Sequence, residues 1–118
     1  MENKHMQKLR KAVVGMYTME TKDWADFRME VERMYPDFRK EMHEELLNGR
    51  EYKICLLLKA GFRPVEIEIL LGYKPKTLAT YQRRLLKKIF DTDGSAKELR
   101  ERVTSAGHEE RIMRRYCG

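Results

Sequence analysis

Between Lys74 and Phe90 the sequence places Lys74, Lys76, Arg83, Arg84, Lys87 and Lys88 with no Asp or Glu among them. Ammonium and guanidinium groups gathered this way hold anionic oxygens, phosphates above all, and an arginine fork can also take a guanine edge. Thr77 and Thr80 add hydroxyls that can meet either a base edge or a phosphate. Bases and acids number 10 and 10 over residues 1–50, 3 and 3 over 51–73, 6 and 0 over 74–90, and 6 and 6 over 91–118. The whole net charge of +6 therefore sits in this one stretch. Charge confined to one element is the footprint of a polyanion surface. Most charge runs are simply solvated faces, but those mix signs, as the rest of this chain does.

Other chemistries find little support. His5, His43 and His108 lack a paired acid or nucleophile at recognisable spacing, and no glycine-rich phosphate loop occurs, so neither an enzyme nor a cofactor is expected. His43, beside Glu44 and Glu45, reads as an exposed surface residue rather than a phosphotransfer histidine. Cys55 and Cys117 are too few for a disulfide framework or a zinc site, and Cys55, inside an apolar run, reads as a small core residue. The longest apolar run, Ile54 to Leu58, is far below a membrane span and no signal-peptide pattern opens the chain, so no membrane partner and a cytoplasmic location are expected.

The elements that must position the basic stretch are helical. Prolines are confined to Pro36, Pro64 and Pro75, no alternating β-branched run appears, and the expected class is all-α with one core. Met6, Leu9, Val13 and Met16 form a narrow apolar seam that suits packing on its own domain or a dimer contact equally. Asp23 is expected to cap a helix carrying Trp24, Phe27, Val31 and Met34, ended by Tyr35-Pro36. A third helix is expected over residues 37–47 with Phe38, Met42 and Leu46 inward. Asn48 and Glu51 form a capping box, with Leu47 as its apolar neighbour, for a central helix from Gly49 to Ala60, stopped by Gly61 with Phe62 folding back. Ser95 and Glu98 suggest a second box and a closing helix to Val103. The resulting organisation is 1–46 as N-terminal helices packing on the core or dimerising, 47–103 as the central domain, and 104–118 as a flexible or short helical tail.

Within the central domain, Pro64 suits the first turn of a short helix that Gly72 ends. Counted from Pro64, the apolar Ile67, Leu71, Tyr73, Leu78 and Tyr81 fall at positions 4, 8, 10, 15 and 18, with Gly72 at 9. This is the pattern of a helix-turn-helix. At Glu66-Ile67, Leu70-Leu71, Lys74-Pro75-Lys76-Thr77-Leu78 and Lys87-Lys88-Ile89 the chain resembles the LuxR-type, or GerE-like, helix-turn-helix over Leu47 to Phe90. Trp24, Phe27 and Tyr35-Pro36-Asp37-Phe38 resemble the segment preceding such domains in a subset of bacterial sensor and repeat-containing regulators. The resemblance implies a helical bundle with extra N-terminal helices, a long helix entering the major groove of double-stranded DNA, and dimerisation on inverted repeats. Three positions depart from the pattern: Glu68 replaces a small residue at the helix contact, where a buried unpaired carboxylate would be costly, Arg63 replaces a Ser or Thr cap, and Lys74 replaces a capping serine.

With Leu78, Tyr81, Leu85 and Ile89 inward, Lys76, Thr77, Thr80, Arg83, Arg84 and Lys87 face out. Lys76, Thr77 and Thr80, near the helix start, are the candidates for base edges, Arg84, Lys87 and Lys88 for phosphates, and Arg83 for either. Lys74 belongs to the same DNA-binding set. The expected function is a transcriptional regulator whose signal arrives through a partner, through oligomerisation or through a larger protein. The alternative is a protein-interaction adaptor on the same scaffold.

Overall fold

Helix starts in this chain are fixed by side chains that satisfy the first backbone amides. Asn3 Oδ1 accepts from the His5 and Met6 N–H groups at 3.0 and 3.1 Å. Asn48 Oδ1 accepts from Glu51 N–H while Glu51 Oε1 accepts from Asn48 N–H, both at 2.9 Å, the reciprocal box read from the sequence. Ser95 Oγ accepts from Glu98 N–H at 3.2 Å. In the computed structural model, which describes residues 3–106, the elements are α1 (Lys4–Val13), α2 (Thr21–Met34), α3 (Phe38–Glu41), α4 (Gly49–Lys59), α5 (Pro64–Leu71), α6 (Pro75–Phe90) and α7 (Ala96–Ser105). A 3-10 turn, Glu44–Leu46, lies between α3 and α4, and the described residues contain no strand. The fold is all-α, and among the described residues no helix is long and apolar enough to cross a membrane.

Three local expectations are corrected. α2 begins two residues before Asp23, with Glu20 as the cap residue. Asp23 acts from inside the first turn, where its carboxylate accepts from Glu20 N–H (2.9 Å), Tyr17 Oη (2.7 Å) and Lys8 Nζ (3.0 Å). The helix expected over 37–47 is a single turn, because His43 takes a left-handed conformation (φ 51°) that breaks the helical register. Phe38 and Met42 are still buried, but Leu46 is rotated out and 53% exposed. The N-terminal seam stops early: α1 ends at Val13, Met6 and Leu9 enter the domain's own core, and Met16 is 77% exposed.

The three bonds to Asp23 hold its carboxyl down at about 2, the Glu20 N–H being the largest cause, then the Tyr17 hydroxyl and Lys8. A depressed folded-state value means that the carboxylate stabilises the fold above its ordinary pKa of about 3.9 and that this contribution disappears as pH falls toward 2. The expected result is that Asp23→Asn melts lower than the parent at pH 7 and that the gap closes between about pH 4 and pH 2. Melting curves followed by circular dichroism across that range check it, and a gap independent of pH would refute the assignment.

One continuous core unites the helices. Leu9, Phe27, Phe38, Ile54, Leu57, Leu78, Leu85 and Leu99 are each at or below 1% exposure, so residues 1–46 and 47–103 share their buried interior. α4 runs through the centre, and its Cys55 is buried, with burial pushing the thiol up to about 12. The helix closes with Phe62 N–H on the Leu57 carbonyl (3.0 Å) and the Phe62 ring buried, as expected. α1 packs on α2 and α5, while α7 packs on α4 and α6. A Cβ at Gly94, in the α6–α7 link, would meet Glu98 Oε1 and Leu86 Cδ2 at 2.9 Å, so those side chains would have to shift. Lys59 Nζ reaches across to the Thr104 carbonyl at 2.9 Å, so residues 104–106 belong to the fold. The remainder of the expected tail, with His108 and Cys117, lies outside the described residues.

Candidate nucleic-acid interface

The turn between α5 and α6 follows from one residue. Gly72 is left-handed (φ 72°, ψ 32°), a conformation that costs glycine nothing, and the Tyr73 N–H closes on the Glu68 carbonyl at 3.0 Å. Pro64 and Pro75 each occupy the first turn of the helix they open. Arg63 has no side-chain oxygen to cap α5, and Glu66 serves instead: its Oε1 accepts from the Arg63 N–H at 2.8 Å. That bond is the main cause holding the Glu66 carboxyl below its ordinary value, with Arg63 and Arg10 adding to it. The cost foreseen for Glu68 does not arise. Its side chain is half-buried rather than buried, and it is Ile67 that fills the contact between the helices.

On α6, Leu78, Leu85 and Ile89 face inward as expected, joined by Gln82 and Leu86. These five form an i, i+4, i+7, i+8, i+11 strip, so Leu86 was legible from the period. Gln82 shares that period, and its polar end is met by Arg100 of α7, which donates to its Oε1 at 3.2 Å. Tyr81 lies at the edge of the strip, half-buried, with its ring stacked on Tyr73 (centroids 5.2 Å apart, planes 21°).

The opposite face carries the predicted site. Lys74, Lys76, Thr77, Arg83, Arg84 and Lys87 are exposed and Thr80 is half-buried. Lys76, Thr80, Arg83 and Lys87 follow the i, i+4, i+7, i+11 spacing and form one line along the helix. Thr80 Oγ1 donates to the Lys76 carbonyl (3.0 Å) and accepts a long bond from Arg83 Nη2 (3.4 Å). Lys74, Lys76, Thr77, Thr80, Tyr81 and Arg84 line an open groove of about 490 Å³ along the first half of the helix. Lys87 meets Asp91 at 3.3 Å, but both are well exposed, and such a pair is exchanged readily for another anion.

Lys88 is placed differently from the expectation. Its Nζ donates to both oxygens of the buried Glu51 carboxylate, at 2.9 and 3.1 Å, and so anchors α6 to the capping box of α4. Its side chain is still 44% exposed, so its charge is shared between Glu51 and solvent.

Lys74 supplies no side-chain cap to α6, so the first amides keep their hydrogen-bonding capacity. Two lysines and no acid stand at this positive end of the helix dipole, an arrangement that costs a few tenths of a kcal/mol per charge unless an anion is bound. The face can therefore hold phosphate oxygens and present threonine hydroxyls beside them. Among the described residues no three His, Cys, Asp or Glu side chains gather as metal ligands. Comparison of the chain with protein-family models, with curated proteins and with solved structures gives no match.

Proposed function

We propose that the protein is a sequence-specific binder of double-stranded DNA and a transcriptional regulator, with α6 as the helix that enters the major groove. One observation carries this reading: the acid-free face of α6 points outward, with an open groove along the half of the helix that would go deepest. Lys76, Thr77 and Thr80 read base edges, Lys74, Arg84 and Lys87 hold phosphates, and Arg83 serves either purpose. The likeness to LuxR-type domains belongs to the same proposal, and with it a homodimer on an inverted repeat that takes its signal from an upstream partner in the cytoplasm. No catalytic step is assigned.

Selection from a random DNA pool tests binding and specificity together. The expected result is enrichment of one short motif, with an affinity that falls against log salt at a slope of roughly −4 to −5 for five neutralised phosphates. A pool that stays random, with no salt-sensitive retention on DNA, would refute the reading.

A protein-interaction adaptor is the second reading, favoured by Val65 and Ile69, one turn apart on α5 and 50% and 54% exposed. An adaptor docking through that face need not respond to salt, which separates the two.

A further inference from the structure

Beside the turn from α5 to α6, a second group of cations stands on α4. Arg50 and Lys53, together with Trp24, Arg28, Tyr52 and Leu56, line a hollow of about 420 Å³ between α2 and α4. Their charges are neutralised unequally. Arg28 donates to Glu32 Oε2 at 3.0 Å and to Glu44 Oε1 at 3.1 Å, so it is consumed in the fold. Lys53 Nζ lies 4.3 Å from the centre of the Trp24 ring, a contact that steers an ammonium without cancelling its charge. Burial and the neighbouring Arg50 both push the Lys53 amine below its ordinary value, and no carboxylate acts against them. Burial and the neighbouring Tyr81 raise the Tyr73 hydroxyl above its ordinary value, and the nearby Arg50 acts against them.

The tyrosines connect the two groups of cations. Tyr81 lines the groove on α6 and stacks on Tyr73, and Arg50 lies near the Tyr73 hydroxyl, with Lys53 one turn further along α4. Two adjacent cations with no ion pair to an acid among the described residues are a standing cost to the free protein, which a bound anion would relieve. A helix lying in a major groove about 12 Å wide has a sugar-phosphate strand along each flank.

We infer that Arg50 and Lys53 form a second, sequence-independent contact with the DNA backbone, gripping phosphates of the strand that passes over the Tyr73–Tyr81 pair. This rests on the DNA-binding reading of α6 and extends its footprint to a helix outside the helix-turn-helix. Arg50 supplies a planar fork for two phosphate oxygens, and Lys53 supplies a point charge beside it. Since phosphates carry no base identity, the contact sets affinity and register rather than sequence preference.

The test compares the parent with Arg50→Ala/Lys53→Ala, and with Arg50→Gln/Lys53→Gln, which keeps much of the apolar stems packed against Trp24 and Tyr73. Binding to the selected duplex and to a scrambled one is measured by fluorescence anisotropy at several salt concentrations. The expected result is a loss of about 10-fold or more for both duplexes by the same factor, with the salt slope shallower by about 2 and the preference for the selected sequence retained. Phosphate-ethylation interference should lose positions on one flank of the motif only. If both folded variants keep the parental slope, or lose the preference instead, the inference is overturned while the α6 reading stands. If the parent itself binds neither duplex, the α6 reading fails first and this one with it.

Discussion

Replacing Arg83 and Arg84 together by alanine is expected to leave a folded protein that has lost most of its grip on DNA. Both side chains are exposed, and among the described residues the one hydrogen bond that holds either is the long bond from Arg83 to Thr80. Surface substitutions of this kind change stability by about 0.5 kcal/mol or less, and alanine is a better helix former than arginine. Binding is another matter. Each arginine contact to a base edge or phosphate is worth about 1–3 kcal/mol, so the pair supplies about 2–6 kcal/mol, or roughly 30-fold to 20,000-fold in Kd. Circular dichroism melting and anisotropy titration at one fixed salt concentration measure the two sides. Undiminished binding by the folded double variant would remove the basis for assigning α6 to DNA. Lys88→Ala supplies the contrast. Because Lys88 is tied to Glu51 by two hydrogen bonds, its loss should lower the melting temperature by a few degrees and weaken binding far less than the double arginine change. The partial exposure of Lys88 keeps the stability cost near about 1 kcal/mol.

Leu85→Ala should give the opposite outcome, a protein that binds but barely folds. Leu85 is fully buried on the inner strip of α6, between Gln82 and Ile89 and on the face that meets α7 and the core. Truncation there removes buried methyl groups and leaves a cavity, at a cost of about 2–5 kcal/mol. A small domain has about 5–15 kcal/mol in total, and in this size range each kcal/mol shifts the melting temperature by about 4–8 °C. A fall of roughly 10–30 °C is therefore expected. At a temperature low enough for the variant to be folded, its Kd should lie close to the parent's, since the cationic line on the other side of the helix is untouched. A shift below about 4 °C would mean that α6 is rotated from the orientation described, and the outward face would have to be reassigned.

The sequence was most legible where a structural choice is made within one or two turns. The capping box of Asn48 and Glu51, the stop at Gly61, the turn at Gly72 and Pro64 in the first turn of α5 were all read correctly, because each depends on backbone groups a few residues away. The same holds for Leu78, Leu85 and Ile89, whose spacing alone fixes a common face. Errors gathered where a second element decides. Leu46 fits a helical period with Phe38 and Met42, yet the left-handed turn at His43 throws it outward. The cost that a buried carboxylate at Glu68 would carry is avoided in the same way, because the packing of α5 leaves that side chain half in solvent.

By itself, then, the chain's order of residues determined an all-helical protein and a helix with one apolar edge and one acid-free edge, since helical period and local charge are properties of neighbours in sequence. Only the tertiary structure decided which of those cations remain available. Lys88 meets a carboxylate 37 residues away, whereas Arg50 and Lys53, unremarkable in a stretch of balanced charge, end up as neighbours with no ion pair to an acid among the described residues, Arg50 lying near Tyr73, whose ring stacks on Tyr81 of α6. Charge balance along a chain counts residues, but neutralisation requires contact within a few ångströms, and that distance is set by how the helices dock.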